Sequence, residues 1–281
     1  MPNTNKITAN EYQQFKSFLE ETCGILLGEG KQYLIVSRLA KLLRDEQVSS
    51  IGELLAQISQ FGQRRLRDGV IDAMTTNETS WFRDSSPFSV LEKSVFPQMD
   101  EEQGRMGCRV WSAACSSGQE PYTISIALNE YLASAGRSKL TNTHIIATDI
   151  STSMLEEAKR AYYEAGTLER GLSEQRKRSY FKQVESGWTV IDEIKRRVSF
   201  KPQNLLESYV GLGKFDIIFC RNVLIYFSPE RKTDILKRMA EILNPGGYLF
   251  LGASETTMGY SDDFDMRRSS AGVFFQLKVR G

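Results

Sequence analysis

The chain has 281 residues, 41% hydrophobic and 25% charged, enough length and apolar content for one large or two ordinary packed domains. A formal net charge of +1 provides no overall field toward nucleic acid or an anionic membrane surface, and no apolar run reaches spanning length. The four cysteines, Cys23, Cys108, Cys115 and Cys220, lack metal-ligand spacing and fit a reduced cytoplasmic setting, while a single histidine, His144, argues against a catalytic triad or a His-ligated metal.

The opening residues MPNTNKITANEY contain no apolar core of a signal peptide. Residues 1–75 read as all helix. Thr8 and Glu11 form a T-x-x-E capping box ahead of Tyr12, Phe15, Phe18 and Leu19. Lys31 to Glu46 carries the stripe Leu34, Ile35, Leu39, Leu42 and Leu43; Ser50 and Glu53 open a third helix; Arg64 to Met74 is a fourth. Residues 76–107 read as a linker and helix: a polar run with Asn77-Glu78-Thr79-Ser80-Trp81-Phe82-Arg83, a helix from Pro87 to Met99, and a polar segment from Asp100 to Gly107.

From residue 108 the pattern alternates. Val110 to Ala114 reads as a buried strand, followed by a small-residue turn and a helix opened by Glu120 and Pro121. His144–Thr148 is a strand ending at Asp149, with Ser153 and Glu156 capping the next helix. Residues 161–203 break the rhythm. Their helix-like SEQRKRSYF and β-rich runs Trp188–Ile191 and Arg197–Phe200 predict a small inserted antiparallel subdomain. Phe215–Cys220 is a buried strand, Ser228-Pro229-Glu230 starts a helix, and Asn244-Pro245-Gly246-Gly247 stops it. Tyr248–Gly252 is a further strand, and Val273–Val279 reads as an edge hairpin strand. Strands alternating with helices predict an α/β fold with a mostly parallel, Rossmann-like sheet.

Several residues then stand where chemistry is placed. The turn after the first strand is neither G-x-G-x-x-G nor a P-loop; Gly118 is its one glycine, and Glu120 occupies the place of an anion. A carboxylate there repels phosphate and attracts an ammonium or sulfonium, or else simply favours a helix first turn. Asp149 ends the adjacent strand, the position that accepts ribose hydroxyls, or is an ordinary loop aspartate. Arg221 and Asn222 follow a buried strand abruptly, with Tyr226 one turn on; they read equally as site or solvated strand end. The Asn77–Arg83 run suits a lid or a plain linker. On the second helix Lys31, Arg38, Lys41 and Arg44 lie mostly away from the leucine stripe, as a solvated face or a dock for an acidic helix.

Taken in order, N-E-T-S-W-F-R, V-W-S-A-A-C-S-S-G-Q-E-P-Y, A-T-D-I-S, P-Q-N-L-L, C-R-N-V-L-I-Y-F and N-P-G-G-Y-L-F-L-G-A-S-E resemble the CheR family, S-adenosylmethionine-dependent glutamate O-methyltransferases of bacterial chemotaxis receptors. The resemblance implies a helical N-terminal domain (1–75) and a methyltransferase domain (108–281) with a β-subdomain inserted at 161–203. It implies that Asn77, Thr79 and Arg83 contact the methionine part of the cofactor or close the site, that Glu120 holds its amino group and Asp149 its ribose, that Asn204 and Leu205 frame the adenine, and that Arg221 and Asn222 floor the sulfonium. Tyr226 resembles the substrate-side tyrosine.

The implied reaction turns a receptor glutamate into its methyl ester and releases S-adenosylhomocysteine. Its nucleophile is already ionised at neutral pH and needs no general base, in keeping with the lack of a usable histidine. Arg38, Lys41 and Arg44 are expected to dock acidic receptor cytoplasmic helices. Some family members grip a receptor C-terminal pentapeptide through a glycine-rich loop in the β-subdomain; the single glycine in Phe181–Trp188 predicts an enzyme without that tether. No metal, nucleic acid or membrane insertion is expected. The competing readings are another methyltransferase on this fold and a non-catalytic cofactor-sensing adaptor.

Overall fold

The structure, a computed structural model, describes residues 7–102 and 106–279. Four helices open the chain: α1 (Ala9–Cys23), α2 (Gln32–Asp45), α3 (Ile51–Ile58) and α4 (Arg64–Met74). The Thr8/Glu11 capping box forms as expected, with the Thr8 hydroxyl accepting from the Glu11 amide. Tyr12, Phe15, Leu19, Ile35, Leu39, Leu54 and Val70 make a separate helical core. Gly24 ends α1 with φ +76°; a Cβ there would lie 2.3 Å from the Phe227 ring, so backbone conformation and the close approach of the second domain both demand glycine.

The predicted helix 87–99 is three joined pieces: α5 (Ser86–Val90), a π-turn Leu91–Val95, and α6 (Phe96–Glu101). Pro97 has no amide to give Lys93, and the ladder widens so that the Phe96 N–H reaches Leu91 C=O. Of the expected polar linker, residues 103–105 lie outside the described residues.

The rest follows as β1 (Arg109–Ala113), α7 (Gln119–Ala135), β2 (His144–Asp149), α8 (Thr152–Arg160), β3 (Tyr162–Tyr163), α9 (Ala165–Leu168), α10 (Glu174–Tyr180), β4 (Phe181–Val184), β5 (Gly187–Val190), α11 (Asp192–Lys195), β6 (Val198–Pro202), β7 (Phe215–Cys220), α12 (Pro229–Ile242), β8 (Leu243–Leu251), β9 (Phe264–Ser269) and β10 (Gly272–Leu277). The main sheet runs β6-β2-β1-β7-β8-β10-β9, parallel as far as β8 and antiparallel at β10 and β9. Its strands alternate between two cores. Val110, Ile145, Ile217 and Phe219 face one side with Tyr122, Ile124 and Leu128 of α7. Trp111, Ile146, Ile218 and Leu249 face the other with Ile235, Leu236 and Met239 of α12.

Two expectations need correction. The run Arg197–Phe200 is not part of the appendage: Val198–Pro202 pairs in parallel with β2 as the outer strand of the main sheet, so the inserted three-stranded sheet is β3-β5-β4 alone. The strand 273–279 is not at the edge. β10 lies between β8 and β9, and the edge strand β9 carries exposed Arg267 and Arg268, the charged dressing that deters edge pairing and hides a strand from an apolar search. Asn244–Gly247 lies just past the end of α12 at Ile242, as expected, and the chain there already runs as a strand. Phe215 pairs with Leu243 before the register shifts to Ile217 and Tyr248, so the stop signal is a bulge within β8.

Candidate functional site

β1 has β2 on one side and β7 on the other, which makes this the point where the winding of the sheet reverses and a crevice opens at the carboxyl ends of the strands. A cavity of about 270 Å³ occupies it. Asn77, Thr79, Arg83, Glu120, Asp149, Asn204, Leu205, Arg221, Asn222 and Tyr226 all line this one cavity, although they come from separate stretches of chain.

The turn after β1 is built from alternating left-handed residues, Ala114 (φ 55°), Ser116 (φ 50°) and Gly118 (φ 93°). This coiling aims backbone amides inward. The Ser116 N–H donates to Asp149 Oδ2 at 2.7 Å and the Ser151 N–H to Oδ1 at 2.9 Å. Asp149 is 5% exposed. Burial raises its carboxyl above the ordinary aspartate value, against the lowering by the amides of Ser151, Ser116 and Ile150. Each oxygen keeps acceptor capacity for a second donor, which is what a ribose diol requires.

Glu120, in the first turn of α7, accepts the Ser112 hydroxyl at 2.8 Å and Arg221 Nη1 at 3.1 Å. Burial raises its carboxyl; Arg221 and Ser112 oppose the rise. Arg221 itself is not an open floor. Its side chain is 1% exposed, and Nη2 donates to Asp84 Oδ2 at 2.7 Å and to Arg83 C=O at 2.8 Å. It clamps the end of β7 to α7 and to the segment 83–84, where Phe82, Asp84 and Ser85 all have positive φ.

The Asn77–Arg83 run covers the cavity, but its aromatics point elsewhere. Trp81 is fully buried, edge-on to Tyr163 and Phe181 at 4.9 Å, so it anchors the run to the inserted subdomain. Arg83 donates to Glu78 C=O at 2.8 Å, and the Ser116 hydroxyl to Asn77 C=O at 3.0 Å. Asn204 ties the loop after β6 to α1. Its Nδ2 donates to Thr22 C=O at 2.7 Å and its Oδ1 accepts from the Leu206 amide at 3.0 Å. The Leu205 carbonyl accepts from Tyr209 Oη at 2.6 Å and Arg238 Nη2 at 2.8 Å. Tyr226 is half-buried, and its carbonyl accepts from the Leu26 amide at 3.0 Å.

The sequence reading missed one wall altogether. Ile25, Leu26, Leu27, Lys31 and Arg38 of the helical domain line the same cavity. The available signal was Ile25-Leu26-Leu27, an apolar run between two glycines that belongs to no helical stripe. Arg38 therefore does not share an outward face with Lys41 and Arg44. Its guanidinium turns in to Met74 C=O, Thr75 C=O and Thr76 Oγ1, the last at 2.9 Å, capping α4 where the lid run begins. Lys41, paired to Asp45, and Arg44 are exposed as expected. His144 stands at the opposite end of β2 from Asp149, at 3.0 Å from Ser199 Oγ. Among the described residues there is no group of three or more His, Cys, Asp or Glu arranged to hold a metal ion, and no helix is long and apolar enough to cross a membrane.

Comparison with known proteins matches both parts of this arrangement. Residues 10–75 match the family model of the CheR methyltransferase all-alpha domain, and residues 77–273 that of the CheR methyltransferase SAM-binding domain. The chain is 50% identical over 270 residues to chemotaxis protein methyltransferase Cher2 of Pseudomonas putida, covering 95% of this chain and 98% of that one. It is 49% identical over 269 residues to chemotaxis protein methyltransferase 1 of Pseudomonas aeruginosa, covering 95% and 98%. It is 49% identical over 273 residues to chemotaxis protein methyltransferase 1 of Vibrio cholerae, covering 97% and 98%. The two family segments follow one another across a single residue and close one cavity between them; the chain belongs to the CheR family of S-adenosylmethionine-dependent methyltransferases.

Proposed function

We propose that this methyltransferase esterifies glutamate side chains on the cytoplasmic helices of chemotaxis receptors, working in the cytoplasm and releasing S-adenosylhomocysteine. The observation that carries the reading is a cavity with donor-bound carboxylates for a cofactor and, among the described residues lining it, neither a histidine nor an ionised thiol to deprotonate a substrate. The one histidine is at the far end of β2, about 16 Å along the strand from Asp149. The thiols lining the cavity are held protonated: burial pushes Cys23 up to about 11 and Cys115 well above its ordinary value. An amine or alcohol would need a proton removed; a glutamate carboxylate arrives ionised.

The residues fit the cofactor. Asp149 accepts from the ribose hydroxyls with its spare lone pairs, Glu120 takes the ammonium, Arg83 takes the carboxylate, Asn77 and Thr79 close over them, and Asn204 and Leu205 frame the adenine. When bound, the cofactor supplies a methyl group activated by its sulfonium. Arg221 is engaged by Glu120 and Asp84, which keeps its positive charge from facing another cation. Tyr226 orients the attacking carboxylate with a neutral donor, which dulls the oxygen less than a guanidinium would. Alignment and exclusion of water supply the rate. With tritiated S-adenosylmethionine and receptor cytoplasmic fragments, transferred label is expected to leave as methanol in mild alkali. Label that survives alkali rules out the ester.

Receptor recognition runs through Lys41 and Arg44 on the exposed side of α2. Reversing both to Glu is expected to raise KM for receptor, increasingly at low salt, with cofactor affinity unchanged. Equal receptor kinetics would return this face to plain solvation. Arg38 is excluded from that pair because it caps α4. The inserted subdomain carries no receptor tether in this reading. Its β4–β5 turn is only Glu185-Ser186, with few free amides to curl around a peptide end. Micromolar binding of any receptor C-terminal pentapeptide would overturn that part.

A further inference from the structure

The loop after β7 carries Asn222 and Tyr226 into the cavity; its far end is held by buried Leu224 and Phe227 and by the Leu26 amide on Tyr226 C=O, but these do not fix its start at Asn222. Asn222 sits in the left-handed region at φ 58°, and Leu224–Tyr226 is one short 3-10 turn. Its internal bonds are Tyr226 N–H to Val223 C=O and Phe227 N–H to Leu224 C=O, both 3.1 Å. A turn of that length does not hold its shape unaided.

The missing support comes from Glu255, in the loop after β8. Its Oε2 accepts the Asn222 and Gly252 amides, each at 2.7 Å, and its Oε1 accepts the Ile225 amide at 3.2 Å. The Glu255 amide donates back to Gly252 C=O at 2.9 Å, which closes the side chain's own loop into a rigid platform. Gly252 permits the approach. A Cβ there would stand 2.7 Å from Glu255 Oε2 and 2.8 Å from the Asn222 amide nitrogen. Glu255 does not line the cavity, so whatever it does for the reaction it does through the loop.

We infer that Glu255 is a positioning residue for methyl transfer: its carboxylate bonds three backbone amides and so sets where Asn222 and Tyr226 stand. The inference rests on the glutamate reading above for the reaction it serves. A carboxylate suits this role because both its oxygens only accept. Glutamine does not, because its NH2 must face at least one of the three amides, donor against donor.

The test uses the full chain, with E255Q and G252A as independent variants, one electronic and one steric. Both are expected to lower kcat for receptor methylation by about tenfold to a hundredfold, the usual effect of misplacing a group by about an ångström. S-adenosylhomocysteine affinity by calorimetry is expected to fall far less than kcat, since Asn222 shifts with the loop but Glu120 and Asp149 are untouched. Amide hydrogen exchange across residues 221–227, read without substrate, is expected to speed up in both variants. Unchanged exchange there, or wild-type kcat in both, overturns the inference; so does a loss borne equally by cofactor affinity. A wild-type enzyme that forms no alkali-labile ester instead defeats the substrate reading, and the exchange measurement still decides the role of Glu255.

Discussion

Arg221→Met is expected to melt about 5–9 °C below wild type. The guanidinium is buried between two carboxylates, with Glu120 at 13% side-chain exposure and Asp84 at 39%. Asp84 reaches solvent and recovers much of its hydration, so the cost falls on Glu120. Removing one partner of a buried pair typically costs about 3–5 kcal/mol because the survivor keeps its charge without compensation; screening at Asp84 favours the lower end here. Arg221→Lys is not expected to rescue. A single ammonium does not reach Glu120, Asp84 and Arg83 C=O as a planar fork does. The double variant Arg221→Met/Glu120→Gln is expected to recover part of the loss, the signature of a coupled pair.

The sign of the pH dependence follows from Glu120. Burial already raises its carboxyl in the folded state, so the native form binds a proton more readily than the unfolded chain, and stability falls as pH rises above the ordinary carboxylate range. Without Arg221 that rise is larger. The gap between variant and wild type is therefore expected to widen from acid toward neutral pH. A pH-independent gap, or a melting temperature equal to wild type, would show that the clamp contributes nothing.

Asp149→Ala is expected to weaken S-adenosylhomocysteine binding by about tenfold to a hundredfold, because a hydrogen bond to a charged group contributes roughly 1.5–3 kcal/mol. Two losses combine. On the proposed reading the ribose loses its acceptors; the Ser116 and Ser151 amides lose theirs in any case. The Ser116 amide belongs to the left-handed turn that shapes the cavity, so the binding surface itself relaxes. Asp149→Asn keeps the shape but must turn its NH2 toward one of the two amides, and is expected to fall between. Wild-type calorimetric affinity in the alanine variant would remove Asp149 from the site.

What the sequence disclosed was local in character. Asp149 was legible as a charge placed abruptly after an apolar strand, Glu120 as a carboxylate where a nucleotide-binding turn would hold an anion, and the Thr8/Glu11 capping box because its partners lie three residues apart; at α8 the same search failed, since the cap is Ser151 and not Ser153. The long-range partners were not. Asn204 binds Thr22 from 182 residues away, and Arg221 finds Asp84 across 137; no periodicity encodes such meetings. Arg38 misled for a different reason. A helical wheel fixes the direction of Cβ, but a long guanidinium side chain can leave that direction to reach the carbonyl end of a neighbouring helix. β6 was misassigned because it is only half-buried, so its pattern resembles an appendage strand as much as a sheet edge.

The wall contributed by residues 23–38 bears on how such enzymes can be recombined. The two family segments abut at residue 76, an inviting place to exchange one helical domain for another and redirect the enzyme to new receptors. Yet Leu26 is bonded to Tyr226, Thr22 to Asn204, and Gly24 packs against Phe227. The seam in the sequence is not a seam in the chamber. A chimaera joined at residue 76 inherits two sound domains and a leaking vessel between them, unless the graft also carries the footings at 204–206 and 226–227.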